Sequence, residues 1–189
     1  MSPAARAHRA PVAGSTVATL PSAGVGPAEF KAAFRNHPAG VAIITATGPE
    51  GPVGLTVSSV ISVSAEPPLL VFSLSAGSRT TPLIAGADTV VVHLLGAAQA
   101  PLAKAFATPG VDRFAATDWH LLPTGEPVLS QAPVWLRGRI VNAMDAGGSV
   151  VVAVHLLQAN VPADGDLPET PLVYHNRSWH RLGDHSVID

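Results

Sequence analysis

The sequence predicts a mainly β protein, an antiparallel, Greek-key-like β-barrel with short helices packed on it. Apolar, β-branched runs of strand length recur along the chain, among them "GVAIITAT", "LLVFSLS", "TVVVHLL" and "SVVVAVHLL". Turn-forming clusters such as "GPEG", "AEPP" and "GG" separate them, giving hairpin patterns, and helical patterns are few and short.

The elements follow in order. Residues 27–37, "PAEFKAAFRNH", predict a helix: Pro27 suits the first turn, Phe30, Ala33, Phe34 and His37 share a face, and Pro38 and Gly40 end it. "GVAIITAT" (40–47), the turn "GPEG" (48–51) and "VGLTV" (53–57) read as a hairpin. "SSVISVS" (58–64) continues extended, and "AEPP" turns the chain into the strand "LLVFSLS" (69–75). A loop, "AGSRTT" (76–81), leads to a short helix at 82–87, the strand "TVVVHLL" (89–95) and a helix over 97–107. Residues 108–133 read as loop. Two long strands, 134–146 and 149–161, flank the tight turn at Gly147 and Gly148. After "PADGDLPE" the chain ends in two short strands around a turn at Asn176 and Arg177.

At 189 residues the chain fits one domain. The expected layout is an arm over residues 1–25, rich in Ala, Pro, Gly and Ser, a barrel domain over 26–183 and a tail over 184–189. Charged residues make up only 13%, which favours a substantial protein–protein interface. Net charge is −2 with no basic run, arguing against nucleic acid as a partner. Cysteine is absent, which excludes disulfides, thiolate catalysis and Cys-ligated metal. No run reaches the length of a membrane span and the N-terminus lacks a signal-peptide core, so the cytoplasm is the expected compartment.

The fingerprints of dinucleotide, P-loop, α/β-hydrolase and zincin sites do not occur. None of the eight histidines pairs at i, i+4 on a convincing helix, so no metal site is expected. The hydroxyls carry more information. If "LTVSSVISVS" runs straight, Thr56, Ser58, Ser62 and Ser64 face one way and Val57, Ser59, Ile61 and Val63 the other. "SLSAGSRTT" (73–81) places hydroxyls and Arg79 in a strand-to-helix loop, where helix-start amides and a guanidinium would suit a phosphate. Phe106 and Phe114, in "KAFATPGVDRF", are candidate aromatic walls for a planar ring, or ordinary core residues.

The order "FRNHPAGVAIITATGPEGPVGLTVSSVISVSAEPPLLVFSLSAGSRTTPLI", "VVHLLGAAQAPLAKAFA", "DRF" resembles the flavin reductase-like family over residues 30–182. These are FMN-binding split barrels that serve as reductase partners of two-component flavin monooxygenases. The resemblance implies that Thr56, Val57, Ser58 and Ser59 lie along the flavin ring and ribityl chain and that Ser73 and Ser75 extend that wall. It assigns the flavin phosphate to Ser78, Arg79 and Thr80, and places Phe106 and Ala107 beside the cofactor. Ser149 and Tyr174 fall on the nicotinamide side. The implied activity is NAD(P)H:flavin oxidoreductase, with hydride passing from NADH (or NADPH) to FAD or FMN and no catalytic acid, base or nucleophile. FAD is favoured by analogy with members that supply halogenases and hydroxylases in biosynthetic pathways. The implied partners are a second copy of the chain and a monooxygenase that receives reduced flavin.

The chain departs from the family where many members carry Gly-Asp-His between the two long strands; it has Gly147, Gly148 and Ser149. That departure supports one alternative, a non-catalytic flavin- or haem-binding split barrel; a second is a related pyridoxamine-phosphate-oxidase-like flavoenzyme. The latter expects a more basic phosphate pocket than Arg79 alone provides.

Overall fold

The structure is a computed structural model that describes residues 24–163 and 170–188. The expected arm, apart from its last two residues, and most of the loop at 162–169 lie outside the described residues.

Helix α1 (Pro27–Arg35) starts with Pro27 in its first turn, and Glu29 Oε2 accepts a hydrogen bond from Gly26 N–H at 3.1 Å. After the two-residue strand β1 (Ala39–Gly40), β2 (Ala42–Gly48) and β3 (Gly51–Val57) form the expected hairpin. The hairpin of β4 (Ile61–Ala65) and β5 (Pro68–Ser75) turns at the cis Glu66-Pro67 bond. Then come α2 (Thr81–Ala85), β6 (Thr89–Leu94), and α3 (Ala100–Ala107) behind a 3₁₀ turn. The segment expected to be loop contains a small hairpin, β7 (Trp119–Leu121) with β8 (Pro127–Leu129). Its strands are three residues each, too short to show a period in sequence. The long strands β9 (Val134–Ala146) and β10 (Ser149–Asn160) turn at Gly147, whose φ is 60°, and Gly148. The last hairpin, β11 (Leu172–His175) and β12 (Ser178–Arg181), turns at Asn176 and Arg177.

Seven strands make one antiparallel sheet in the order β3-β2-β6-β9-β10-β5-β4. Its two edges, β3 and β4, are consecutive in the chain and only residues 58–60 join them. Three residues span about 10 Å, so the sheet must curl until its edges meet. No ladder joins β3 to β4 among the described residues, and the result is a split barrel, as the resemblance implies. Beside the split, just ahead of β4, Ser59 Oγ donates to Ser73 O of β5 and accepts from Ser73 N–H, both at 3.0 Å, in register with the β4–β5 pairing. One side chain thus supplies what a backbone ladder would. Replacing Ser59 with alanine is expected to cost about 1–3 kcal/mol by stranding both Ser73 groups. Thermal unfolding checks this: each kcal/mol lost lowers Tm by roughly 2–4 °C at this chain size.

The break at 58–60, with an irregularity between Ser62 and Ser64, overturns the straight-strand expectation that Thr56, Ser58, Ser62 and Ser64 share a face. Inside the barrel, Ala42, Ile44 and Ala46 of β2 meet Phe72, Leu74, Val90, Val92 and Val152. The other face of β2, with Ile43 and the preceding Val41, packs beneath α3 and the last hairpin on Phe106, Phe114 and Leu172. Burial on both faces explains why β2 reads as a continuous apolar run. Helix α1 forms as expected; no residue on it is buried among the described residues, and Phe30 and Phe34 stay 56% and 58% exposed.

Candidate functional site

A cavity of about 1150 Å³ opens at the split. One wall is the end of β3, with Thr56 and Val57, running on to Ser58 and Ser59; the other is Ser73 and Ser75 of β5. Ser78, Arg79 and Thr80 close one end, α3 contributes Phe106 and Ala107, and Ser149 stands at the rim. The structure therefore gathers all the candidates except Tyr174. Ser149 reaches the rim because it pairs with Ser75, and Ala76 N–H donates to Gly148 O at 2.9 Å. His155, six residues along β10, lines neither this cavity nor its neighbour.

The hydroxyls divide into two groups. Thr56 Oγ1 donates to Ala103 O of α3 at 2.7 Å, and Ser59 is committed to Ser73, so both hold the scaffold together. The hydroxyls of Ser58, Ser73, Ser75 and Ser149 make no hydrogen bond among the described residues and face the cavity with their capacity intact.

The loop ahead of α2 is partly closed on itself. Ser78 N–H donates to Ser75 O, Thr80 N–H to Ser78 Oγ and Thr81 N–H to Ser78 O. Those amides fold the loop on itself, and Thr81 Oγ1 anchors it to Ser75 O at 2.6 Å. The amides of Gly77 and Arg79 make no hydrogen bond among the described residues, so backbone and side chains can both meet an anion there. Arg79 is exposed at the mouth. A second guanidinium, Arg113, was not among the sequence candidates. It donates to Gly54 O at 2.7 Å, to Thr108 O at 3.1 and 3.3 Å and to Thr80 Oγ1 at 3.3 Å, tying β3, the α2 loop and the segment after α3 together. Burial lowers its pKa from the usual arginine value, and arginine remains cationic at neutral pH. Asp112 Oδ1 fixes the neighbouring turn by accepting from Phe114 and Ala115 N–H. An isolated arginine beside a buried Phe in a charge-poor chain was the available sequence signal. The cavity holds two guanidiniums, which removes the one-arginine argument against the pyridoxamine-phosphate-oxidase-like alternative.

Phe106 and Phe114 do not form an open stacking wall. Both are buried, edge to face at 5.1 Å, and Phe114 meets Trp119 in the same manner at 5.6 Å. Phe106 is the packed floor, and exposed Ala107 is what the cavity meets. Gly54 permits this floor: a Cβ there would lie 2.9 Å from Phe106 Cε1 and 3.0 Å from Ile44 O.

Tyr174 stands apart, edge to face with Trp179 at 5.0 Å, in a second cavity of about 690 Å³. Only Ser58 and Ser59 line both cavities.

Among the described residues, no Asp, Glu, His, Lys, Cys or Tyr lines the first cavity. Among the described residues no three His, Cys, Asp or Glu side chains converge as metal ligands, and no helix is long and apolar enough to cross a membrane. The hydroxyls that line the cavity therefore have no carboxylate or imidazole beside them among the described residues to act as a base. Open hydroxyls and two guanidiniums over an apolar floor match a polar ring with a phosphate-bearing tail.

Known proteins agree with that chemistry. The chain is 37% identical over 161 residues to NADH:FMN oxidoreductase of Rhodococcus erythropolis, covering 85% of this chain and 84% of the relative. The reductase component of 4-hydroxyphenylacetate 3-monooxygenase from Pseudomonas aeruginosa is 33% identical over 157 residues, 81% of this chain and 90% of that one. The crystal structure of a flavin reductase domain protein from Arthrobacter sp. FB24 superposes with a TM-score of 0.75 at 37% identity, covering 82% of this chain and 94% of the other. The family model described as "Flavin reductase like domain" matches residues 34–183, which span every cavity-lining position above. With sequence, fold and cavity chemistry in agreement, the chain belongs to the flavin reductase-like family.

Proposed function

We propose that this protein is an NAD(P)H:flavin oxidoreductase that supplies reduced flavin to a monooxygenase component. The observation that carries this is a large cavity furnished with hydroxyls and guanidiniums for binding and, among the described residues, no carboxylate or imidazole. Bound flavin and pyridine nucleotide supply the redox chemistry, a hydride passing from the nicotinamide to flavin N5. The chain's part is to hold and orient. Ser58, Ser73 and Ser75 offer hydroxyls to the polar edge and side chain of the flavin, while Arg79 and Arg113 face its phosphate. Ser149 borders the nicotinamide side, and Phe106 supports the floor. Either FAD or FMN suits these donors, and NADH is the expected reductant, as in the relatives' names.

Initial rates of NADH and NADPH oxidation with FAD and FMN test the reading. Turnover no faster than that of free flavin overturns it. Flavin that stays bound through purification and reacts without added flavin would favour the oxidase-like alternative that Arg113 permits.

A homodimer is part of the proposal, as is a cytoplasmic setting where reduced pyridine nucleotide is available. Edge strand β4 exposes Ile61 (61%) and Val63 (57%), an apolar edge of the kind that pairs with another chain. Sedimentation should give twice the 19.3 kDa chain mass. Val63→Lys, which puts a charge on that edge, should shift it towards the single-chain value. A monomeric wild type would refute the pairing.

A further inference from the structure

The second cavity has a character of its own. Lys31 and Arg35 of α1 and Arg177 of the last turn line it, with His37 and His175 and, among the described residues, no aspartate or glutamate. In a chain only 13% charged, three fixed cations around one cavity with no balancing acid repel one another until an anion compensates them. The backbone imposes the convergence: Asn176 N–H donates to Arg35 O at 3.1 Å, and His175 Nε2 lies 3.0 Å from Asn36 Oδ1. The end of α1 is thereby pinned on the turn that carries Arg177.

Arg177 sits at φ 62°, second in a two-residue hairpin turn where glycine is the unstrained choice. A long cationic side chain is kept where the backbone disfavours any side chain. Beside it, the exposed rings of Phe30 and Phe34 lie 4.6 Å apart on the same cavity. Exposed aromatic faces next to clustered cations suit a stacked base joined to phosphates. Ser58 and Ser59 border both cavities, so one molecule can reach from the first into the second across them.

We propose that the second cavity binds the adenosine diphosphate half of a dinucleotide, its pyrophosphate on Arg35, Arg177 and Lys31 and its adenine against Phe30 and Phe34. The proposal rests on the reductase reading in placing the redox-active half of that molecule in the first cavity. Two molecules carry this moiety, the pyridine nucleotide and FAD.

The test is calorimetric titration of the full-length protein with ADP and with ADP-ribose, repeated on Arg177→Gly and Arg35→Gln. Glycine relieves the turn, so Arg177→Gly should fold at least as well as wild type, checked by thermal unfolding. Binding to the wild type and an affinity lowered at least fivefold in both variants is expected. No ADP binding by the wild type, or a smaller loss in either variant, overturns the proposal. So does an altered molar mass in Arg177→Gly with unchanged ADP affinity, which would make the patch a subunit contact. Steady-state kinetics distinguish the source: a raised KM for NADH with FMN as acceptor identifies the pyridine nucleotide, and a raised KM for FAD but not FMN identifies the flavin. ADP binding is read without turnover, so turnover without ADP binding refutes this site alone. ADP binding without turnover refutes the reductase reading alone.

Discussion

Replacing Arg113 with alanine is expected to lower kcat/KM for flavin by about tenfold to a hundredfold, most of it through KM. The guanidinium donates to Gly54 O, Thr108 O and Thr80 Oγ1, linking three segments that border the first cavity. Hydrogen bonds from a charged donor contribute roughly 1.5–3 kcal/mol, and each 1.4 kcal/mol is a factor of ten. Truncation removes a cation from the phosphate end and strands Gly54 O, beneath which Phe106 packs. Arg113→Lys keeps the charge but cannot span three acceptors, so it should recover only part of the loss. Initial rates at varied flavin and saturating NADH measure the effect. An Arg113→Ala enzyme with wild-type flavin KM and an unchanged Tm would remove this residue from the site.

Acid should destabilise the protein in two successive steps. His93 is fully buried in β6; its Nδ1 lies 3.1 Å from Ile43 O, and its Nε2 accepts from Leu129 N–H at 3.1 Å. That pair of partners fixes a neutral ring with the proton on Nδ1. Burial lowers its pKa from 6.5 to about 4, against a smaller raising effect of the Ile43 carbonyl. Between those values the unfolded chain takes up a proton that the native state refuses. Stability is therefore full above pH 6.5 and falls by about 3 kcal/mol as pH drops to 4. Glu126 adds the second step. Burial alone would raise its pKa, but hydrogen bonds from Arg137, Thr124 and Thr89 outweigh that and hold it down to about 2. The Arg137 pair is short, at 2.7 Å. The stability this carboxylate contributes is full above 4.5 and is lost as pH falls through 2. Urea unfolding at stepped pH should show both declines. His93→Gln can accept from Leu129 N–H and donate to Ile43 O without titrating, so it should flatten the first decline and leave the second. A slope between pH 6.5 and 4.5 as steep as wild type would show that other groups drive it.

Local chemistry alone made much of this legible. The β2–β3 hairpin, the long β9–β10 hairpin and the final hairpin follow from β-branched runs broken by turn residues, because strand period and turn chemistry are short-range properties. The site candidates were legible through their type and order, and twelve of them, Thr56 to Ser149, line one cavity. Their individual duties were not. Whether a hydroxyl faces a ligand or holds the scaffold depends on a partner far along the chain: Ser59 bonds Ser73, and Thr56 bonds Ala103. Arg113 escaped notice for the same reason, since its acceptor Gly54 is 59 residues away.

The sequence by itself determined that this chain is a strand-rich protein with hydroxyl clusters in a recognisable order, because those features are written in neighbouring residues. Only the tertiary structure decided which hydroxyls remain open to a ligand, that Phe106 is a floor rather than a wall, and that Tyr174 belongs to a second, cation-lined cavity. Those outcomes depend on how the sheet curls until β3 and β4, its opposite edges, are three residues apart. Curling joins segments distant in the chain, and no local pattern encodes which groups then meet.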